Sequence, residues 1–271
     1  MPELPEVETT KRGIEPHITN KRVEEVIIRQ KRLRWDVPNI LSAELTGHSI
    51  TTVARRGKYL LLESAKGTLL MHLGMSGSLR IVDSELVAGK HDHVDIVFDN
   101  GKALRFTDPR RFGCLLWEQD TIDSHPLIAN LGLEPLSVDF DAAYLYKVSR
   151  GRSAAIKTFV MNSKVVVGVG NIYAAEALFM AGINPKRAAG KVSKATYEKL
   201  IPCIKEILLN AINLGGTTLR DFTNSIGEPG YFKQSLNVYG RGGEECVQCK
   251  KLLTEIRLGQ RSTVYCKNCQ K

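Results

Sequence analysis

From Lys21 to Glu118 the hydrophobic positions fall in short β-rich runs: Val23–Ile28, Tyr59–Glu63, Thr68–Leu73, Val94–Phe98 and Leu104–Thr107, separated by turn residues. Runs this short, with little helix between them, predict antiparallel strands in a sandwich or barrel rather than a parallel sheet. Asp99-Asn100-Gly101, between the last two runs, predicts a hairpin in which Asn-Gly supplies the two positive φ angles of a primed turn. Ahead of the strands, Pro5 to Ile18 reads as a helix, with a proline early and acidic residues in its first turns. After Asp139 the period becomes helical. Tyr197, Leu200, Ile204, Ile207 and Ala211 form the apolar stripe of an amphipathic helix that Gly215-Gly216 stops. A shorter helix is expected from Ile172 to Ala181, capped by Asn171 and closed by Gly182, and Ile183-Asn184-Pro185 carries turn chemistry. There is no internal repeat and no low-complexity stretch.

Composition sharpens this picture. The chain has 271 residues, 43% of them hydrophobic, enough to bury a core and too many for a disordered chain. No stretch approaches the roughly 18 consecutive apolar residues of a membrane span. The first residues are acidic where a signal peptide is basic, so a cytoplasmic protein is expected. The net charge of +9 is unevenly placed: residues 1–150 hold 20 basic and 21 acidic side chains, and residues 151–271 hold 18 and 8. An excess confined to one half suits a polyanion partner such as nucleic acid, although basic proteins also use charge merely to stay dispersed.

The end of the chain is the most specific stretch on spacing alone. Cys246-x2-Cys249 and Cys266-x2-Cys269, with 16 residues between the pairs, match the four-thiolate zinc pattern. Disulfides are the alternative, but they belong to oxidising compartments. Four protein ligands leave no position for a catalytic water, so the expected cofactor is one structural zinc ion, with no organic cofactor. Around it stand Arg241, Lys250, Lys251, Arg257, Arg261 and Lys267, which strengthens the nucleic-acid reading. Cys114 and Cys203 lie in apolar settings and read as buried packing residues. Gly168-x-Gly170 lacks the third glycine of a dinucleotide fingerprint, since Tyr173 stands there.

Pro2 is small enough to permit removal of Met1, which would leave a secondary amine at the terminus. Such an amine titrates near pH 8, below any ordinary lysine, and is a usable nucleophile. Beside it are Glu3 and Glu6, carboxylates able to move protons if they share a cleft. The plain alternative is a second-position proline followed by helix-capping acids.

A resemblance decides between these. Pro2-Glu3-Leu4-Pro5-Glu6-Val7-Glu8, Arg55-Arg56-Gly57-Lys58-Tyr59, His72-Leu73-Gly74-Met75-Ser76-Gly77, Lys90-His91-Asp92-His93 and Asp108-Pro109-Arg110-Arg111-Phe112-Gly113 resemble the bacterial formamidopyrimidine-DNA glycosylase family. Val167-Gly168-Val169-Gly170-Asn171-Ile172-Tyr173, Gly215-Gly216-Thr217-Thr218, Val238-Tyr239-Gly240 and the four cysteines continue it, so the likeness spans the whole chain in order. It implies a catalytic set of Pro2 as nucleophile, Glu3 as proton shuttle, and Lys58 and Arg261 acting in the eliminations, with Glu6 supporting Glu3. Because a guanidinium stays charged above about pH 12, Arg261 is read here as a phosphate clamp rather than a proton donor. The resemblance implies that Met75, Arg110 and Phe112 fill the hole left by a flipped base, and that His72, His91, Arg110, Arg152, Lys157 and Asn171 contact DNA. The stretch from Thr217 to Tyr231 resembles the loop that closes over the lesion.

The implied fold is multidomain α+β: an N-terminal β-sandwich with flanking helices over residues 1–132, a helix-two-turn-helix domain over 133–236, and a zinc-bearing β-hairpin over 237–271. The implied activity is excision of 8-oxoguanine opposite cytosine and of formamidopyrimidines, followed by strand cleavage. The expected partner is double-stranded DNA containing oxidised bases or abasic sites, bound by a monomer with no membrane role. Two other readings remain: the related endonuclease VIII branch, acting on oxidised pyrimidines, and a catalytically silent zinc DNA-binding protein.

Overall fold

The computed structural model describes residues 2–216 and 236–271, which form two compact units: residues 2–129 with 212–216, and residues 130–211 with 236–271. Among the described residues, no helix is long and apolar enough to cross a membrane.

The first unit begins with α1 (Leu4–Ile18) and continues through β1 (Val23–Ile28), α2 (Leu41–Leu45), β2 (Ile50–Arg56), β3 (Tyr59–Ser64), β4 (Gly67–His72), β5 (Ser78–Asp83), β6 (Asp92–Phe98), β7 (Lys102–Thr107) and β8 (Cys114–Glu118). These strands make two antiparallel four-stranded sheets, ordered β2-β3-β4-β8 and β1-β6-β7-β5. Their apolar faces meet in one core: Val53, Leu60, Leu62, Leu69, Met71 and Leu115 from one sheet, and Val26, Leu79, Val94, Ile96, Leu104 and Phe106 from the other. Period-two alternation puts these residues on one face of each strand, and burial of apolar area favours stacking the faces. Along α1 the buried residues Val7, Ile14 and Ile18 form the stripe that joins the same core. The outer face of the second sheet holds a buried ion network. Arg105 grips Asp95 through two bonds of 2.9 and 2.8 Å, and Arg29 reaches the same carboxylate at 2.7 Å. These bonds hold the Asp95 carboxyl below its ordinary range against the opposing effect of burial.

The hairpin between β6 and β7 forms where expected, but its turn differs. Only Gly101 takes a positive φ, 73°, and Gly101 N–H donates to Phe98 O at 3.1 Å. The strands are joined by a three-residue loop closed by a left-handed glycine rather than by a two-residue primed turn.

The second unit contains α3 (Ala142–Ser149), α4 (Ile156–Val160), α5 (Asn171–Met180), most of α6 (Lys194–Asn213), and a hairpin of β9 (Thr254–Leu258) and β10 (Arg261–Tyr265). The five residues of the α6 stripe are all buried. Gly170, not Asn171, is the cap of α5, and Asn171 is the first helical residue. Gly170 takes the extended φ of −115° and ψ of −156° usual for a residue at a helix cap. The far end of α5 closes as expected: Gly182 has φ 68°, its N–H bonds to Phe179 O, and Ile183 N–H reaches Leu178 O. Gly259 and Gln260 give β9 and β10 a primed turn, with φ of 53° and 60°. Cys114 is buried as expected, whereas Cys203 is only half-buried, because its position on α6 lies off the apolar stripe.

Candidate active site and zinc centre

The start of α1 is a closed arrangement. Pro2 is buried, Glu3 caps the helix at 2% exposure, and Glu6 is equally buried. The Glu6 carboxylate accepts the Glu3 backbone N–H at 2.8 Å, so its support acts on the main chain that carries Pro2 and Glu3. Gly216, with φ 84°, lies against it: a Cβ there would stand 3.2 Å from Glu6 Oε1. A helix start favours negative charge and opposes an added positive one, so the two buried carboxylates stand where the backbone favours them.

Lys58 lies in the turn between β2 and β3. Glu8 of α1 accepts from Arg55 Nε at 2.9 Å, and Arg55 Nη1 donates to Gly57 O at 2.9 Å. The helix that carries Pro2 is thereby bonded to the turn that carries Lys58. His72 is opposite Tyr59 in the β3/β4 register, with ring centroids 5.0 Å apart. Removal from water, reinforced by the Lys58 and Arg34 charges, pulls the His72 pKa down to about 4. The neutral ring uses Nδ1 to accept Gly74 N–H at 2.9 Å.

Met75, Arg110 and Phe112 are brought together by two fused turns. Asp108, fully buried, accepts Ser76 Oγ at 2.7 Å and Arg110 N–H at 3.2 Å through Oδ1, and Gly113 N–H at 2.8 Å through Oδ2. Gly74 approaches the Phe112 backbone so closely that a Cβ would sit 2.4 Å from its carbonyl carbon. The result presents Phe112 at 46% exposure, with the Arg110 guanidinium 5.0 Å over its ring. A large aromatic held outward by a buried carboxylate is poorly explained as packing. His91, half-buried, leads into β6 from the neighbouring loop, and its carbonyl accepts Asp108 N–H at 3.0 Å.

In the second unit Arg152 is exposed. Arg261 is exposed at the first position of β10. Lys157 is placed differently from the phosphate-facing position that the resemblance implies. It is 1% exposed, and its ammonium donates to Ser262 O at 3.1 Å and Thr263 Oγ1 at 2.8 Å. Asn171 Nδ2 also donates to Ser262 O, at 3.1 Å. Both side chains therefore brace the strand that presents Arg261, through partners about a hundred residues away in the chain, which no local pattern reveals. The lesion-loop expectation for residues 217–231 lies outside the described residues.

Sequence reasoning assigned no role to Asp108, Ser76, Gly74, Glu8, Arg55 or Glu176. The first five stand inside the motifs that carry the resemblance, which was the available signal, and Glu176 stands outside them. Glu176, fully buried on α5, accepts from Asn237 N, Asn237 Nδ2, Val238 N and Tyr239 N at 2.8 to 3.0 Å, fixing the chain that leads into the zinc hairpin.

The four cysteine sulfurs all lie within 4.8 Å of one another, with Cys246–Cys269 at 3.9 Å and Cys249–Cys266 at 3.5 Å. A tetrahedron of Zn–S bonds of about 2.3 Å places its sulfurs roughly 3.8 Å apart, so the cluster fits one zinc ion. Val238, Leu253 and Val264 pack with Cys246 and Cys266 against Ala175 and Phe179 of α5, which makes the centre structural.

A β-sandwich unit with a proline-led helix start and an arginine–phenylalanine turn, joined in one chain to helices and a four-thiolate hairpin, defines a DNA glycosylase of the zinc-hairpin class. Residues 1–115 match the formamidopyrimidine-DNA glycosylase N-terminal domain, 131–223 its H2TH domain, and 243–271 the zinc finger found in FPG and IleRS. The formamidopyrimidine-DNA glycosylase of Stutzerimonas stutzeri is 59% identical over the full length of both chains. The Lactococcus lactis Fpg in complex with abasic-site DNA matches at TM-score 0.89 and 32% identity, covering 99% of each chain. MutM in complex with carbocyclic 8-oxo-G DNA matches at 0.89 and 34%, covering 100% of each. The chain belongs to the formamidopyrimidine-DNA glycosylase family.

Proposed function

We infer that the chain is a bifunctional base-excision-repair enzyme: it removes oxidised purines, 8-oxoguanine opposite cytosine and formamidopyrimidines, from double-stranded DNA and then cuts the strand as an AP lyase. Support comes from the full-length relatives and from solved relatives holding lesion and abasic DNA. The observation that carries the residue assignment is the start of α1, where buried Pro2 and Glu3 are held by the Glu6 bond to Glu3 N–H.

With Met1 removed, the Pro2 nitrogen attacks C1′ of the damaged nucleotide. The C1′–N bond breaks and the base departs, taking a proton. Glu3 protonates the sugar ring oxygen as the ring opens, leaving an iminium between Pro2 and C1′. The iminium then accepts the electron pair released when a C2′ proton passes to Glu3, and the C3′–O bond breaks in the β elimination. A second proton loss breaks the C5′–O bond, and water frees Pro2 from the unsaturated sugar fragment, leaving a one-nucleotide gap. Lys58 donates the proton needed in the β elimination, and Arg261 clamps the phosphate that leaves in the second. Met75, Arg110 and Phe112 fill the vacated stack, with Arg110 facing the orphaned cytosine. His72, His91, Arg152 and Asn171 serve the DNA strands, and Lys157 acts by holding β10. Bound zinc supplies a crosslink that fixes the hairpin. The compartment is the bacterial cytoplasm, at the nucleoid.

The test is to mix the protein with an 8-oxoguanine:cytosine duplex and borohydride, then read intact and peptide masses. A reduced adduct on Pro2 with Met1 absent is expected. An adduct formed only on thymine glycol DNA would reassign the chain to the endonuclease VIII branch. Binding with no adduct on either duplex would leave the silent binder.

A further inference from the structure

The loop between β1 and α2 exposes Lys31, Arg32, Arg34 and Trp35, the last at 40%. Exposure here does not mean a loose loop. Leu33 and Val37 are buried in the sandwich core, Val37 N–H donates to Lys31 O at 2.8 Å, and Arg29 and Gln30 N–H both donate to His93 O. The cations therefore stand outward because the apolar residues between them are anchored inward.

The loop is also bonded to the Arg110–Phe112 turn. Arg34 N–H donates to Gly113 O at 3.1 Å, and His93, which receives the loop's amides, bonds Asp108 O through Nε2 at 2.8 Å. The Arg34 guanidinium lies 4.7 Å over the Trp35 ring, a contact that holds its planar donor fork in place. Among the described residues, none of Lys31, Arg32 and Arg34 forms an ion pair with a carboxylate. Three unpaired cations, set against one carboxylate, Asp36, sit on a fixed loop beside the exposed phenylalanine. The Arg34 charge also bears on His72 and Tyr59, so it lies at the same end of the sheet as Lys58.

We propose that the 31–35 loop is a phosphate-binding element, in which Lys31, Arg32 and Arg34 contact the duplex backbone beside the base step entered by Phe112, and Trp35 holds the Arg34 guanidinium in place. This rests on the reading of Arg110 and Phe112 as the residues that enter the base stack. A backbone contact positions the protein and is insensitive to sequence. It also releases counterions, so its loss leaves a signature in salt dependence that a purely structural role would not.

The experiment measures the dissociation constant of the full-length, zinc-loaded chain for a duplex bearing a tetrahydrofuran abasic analogue, from 50 to 300 mM salt. Lys31→Ala/Arg32→Ala should bind about tenfold more weakly at 0.1 M salt, and the log–log salt slope should fall by roughly 2. Arg34→Ala should lower the slope by about 1, and Arg34→Lys should restore it. Lys66→Ala, at the β3–β4 turn and at the opposite end of that hairpin from Lys58 and His72, serves as the charge-matched control and should match the wild type. Loop variants with unchanged slope and affinity, and with wild-type urea midpoints, would overturn the assignment while leaving the glycosylase reading intact. A wild-type chain that does not bind the abasic duplex would overturn both.

Discussion

His72 is held neutral by its surroundings, first by removal from water and then by the Lys58 and Arg34 charges, with a pKa of about 4 against an ordinary 6.5. Because the folded value is the lower one, the unfolded chain takes up a proton between these pH values that the folded chain refuses. Stability is therefore complete above about pH 6.5 and falls as the pH drops toward about 4, by up to about 2 to 3 kcal/mol from this one ring. Protonation would also remove the acceptor that Nδ1 offers Gly74 N–H, loosening the turn that carries Met75. Urea titrations at pH 7 and pH 4.5 check this: the wild type should lose more stability than His72→Gln across that interval. Parallel losses would mean that His72 titrates normally. The same neighbourhood keeps Cys114 inert, since burial pushes its thiol up to about 11.

Among the elements, the turns that present Met75 and Phe112 depend on close backbone contact as well as on the buried Asp108 side chain. Gly74 has φ 64°, and a Cβ would meet Phe112 C and Gly113 N at 2.4 Å each. Gly74→Ala should therefore cost about 2 to 4 kcal/mol in urea unfolding, combining left-handed strain with overpacking, and should weaken binding to abasic DNA by at least tenfold. An alanine variant with wild-type stability and affinity would show that the turns are not fused as described. This fusion was not legible in the sequence, because its central bond joins Ser76 to Asp108 across 32 positions. Elements with a strong local period were legible: β1 matches its expected run end to end, α1 and α5 fall within one residue of theirs, and the α6 stripe is buried throughout. β2, with only Ile50 and Val53 buried among seven residues, has too weak an alternation to announce itself, and α4 at five residues is too short to show a helical period. The Asn-Gly pair located a turn but did not specify its type, because one left-handed residue sufficed to close it. The four cysteines were legible from residue type and spacing, whereas Glu3 and Glu6 stood out by type alone and took a role only through the resemblance. That Lys157 and Asn171 turn toward β10 was not, since that depends on the folded second unit.

At the scale of the whole molecule the zinc hairpin should behave as a part on which the second unit depends and the first does not. The sandwich core draws none of its members from residues 236–271, whereas Cys246 and Cys266 are themselves part of the cluster that joins the hairpin to α5. A four-thiolate zinc site contributes roughly 10 to 16 kcal/mol of apparent binding free energy to the fold around it, far more than those few apolar contacts supply. A strong chelator should therefore release one zinc ion per chain and make four further thiols reactive, while Cys114 stays unreactive. Calorimetry should then resolve an unchanged transition for the sandwich and a lowered one for the second unit. Loss of β10 would also strip Lys157 and Asn171 of the partners that hold them and displace Arg261, so borohydride trapping should fall by at least a hundredfold although Pro2, Glu3 and Glu6 are untouched. If trapping survived metal loss with the four thiols exposed, formation of the iminium would require only the first unit. Arg261 and its bracing residues would then belong to strand cleavage or to nothing in the reaction, and release of the second phosphate is the step that would distinguish those two cases.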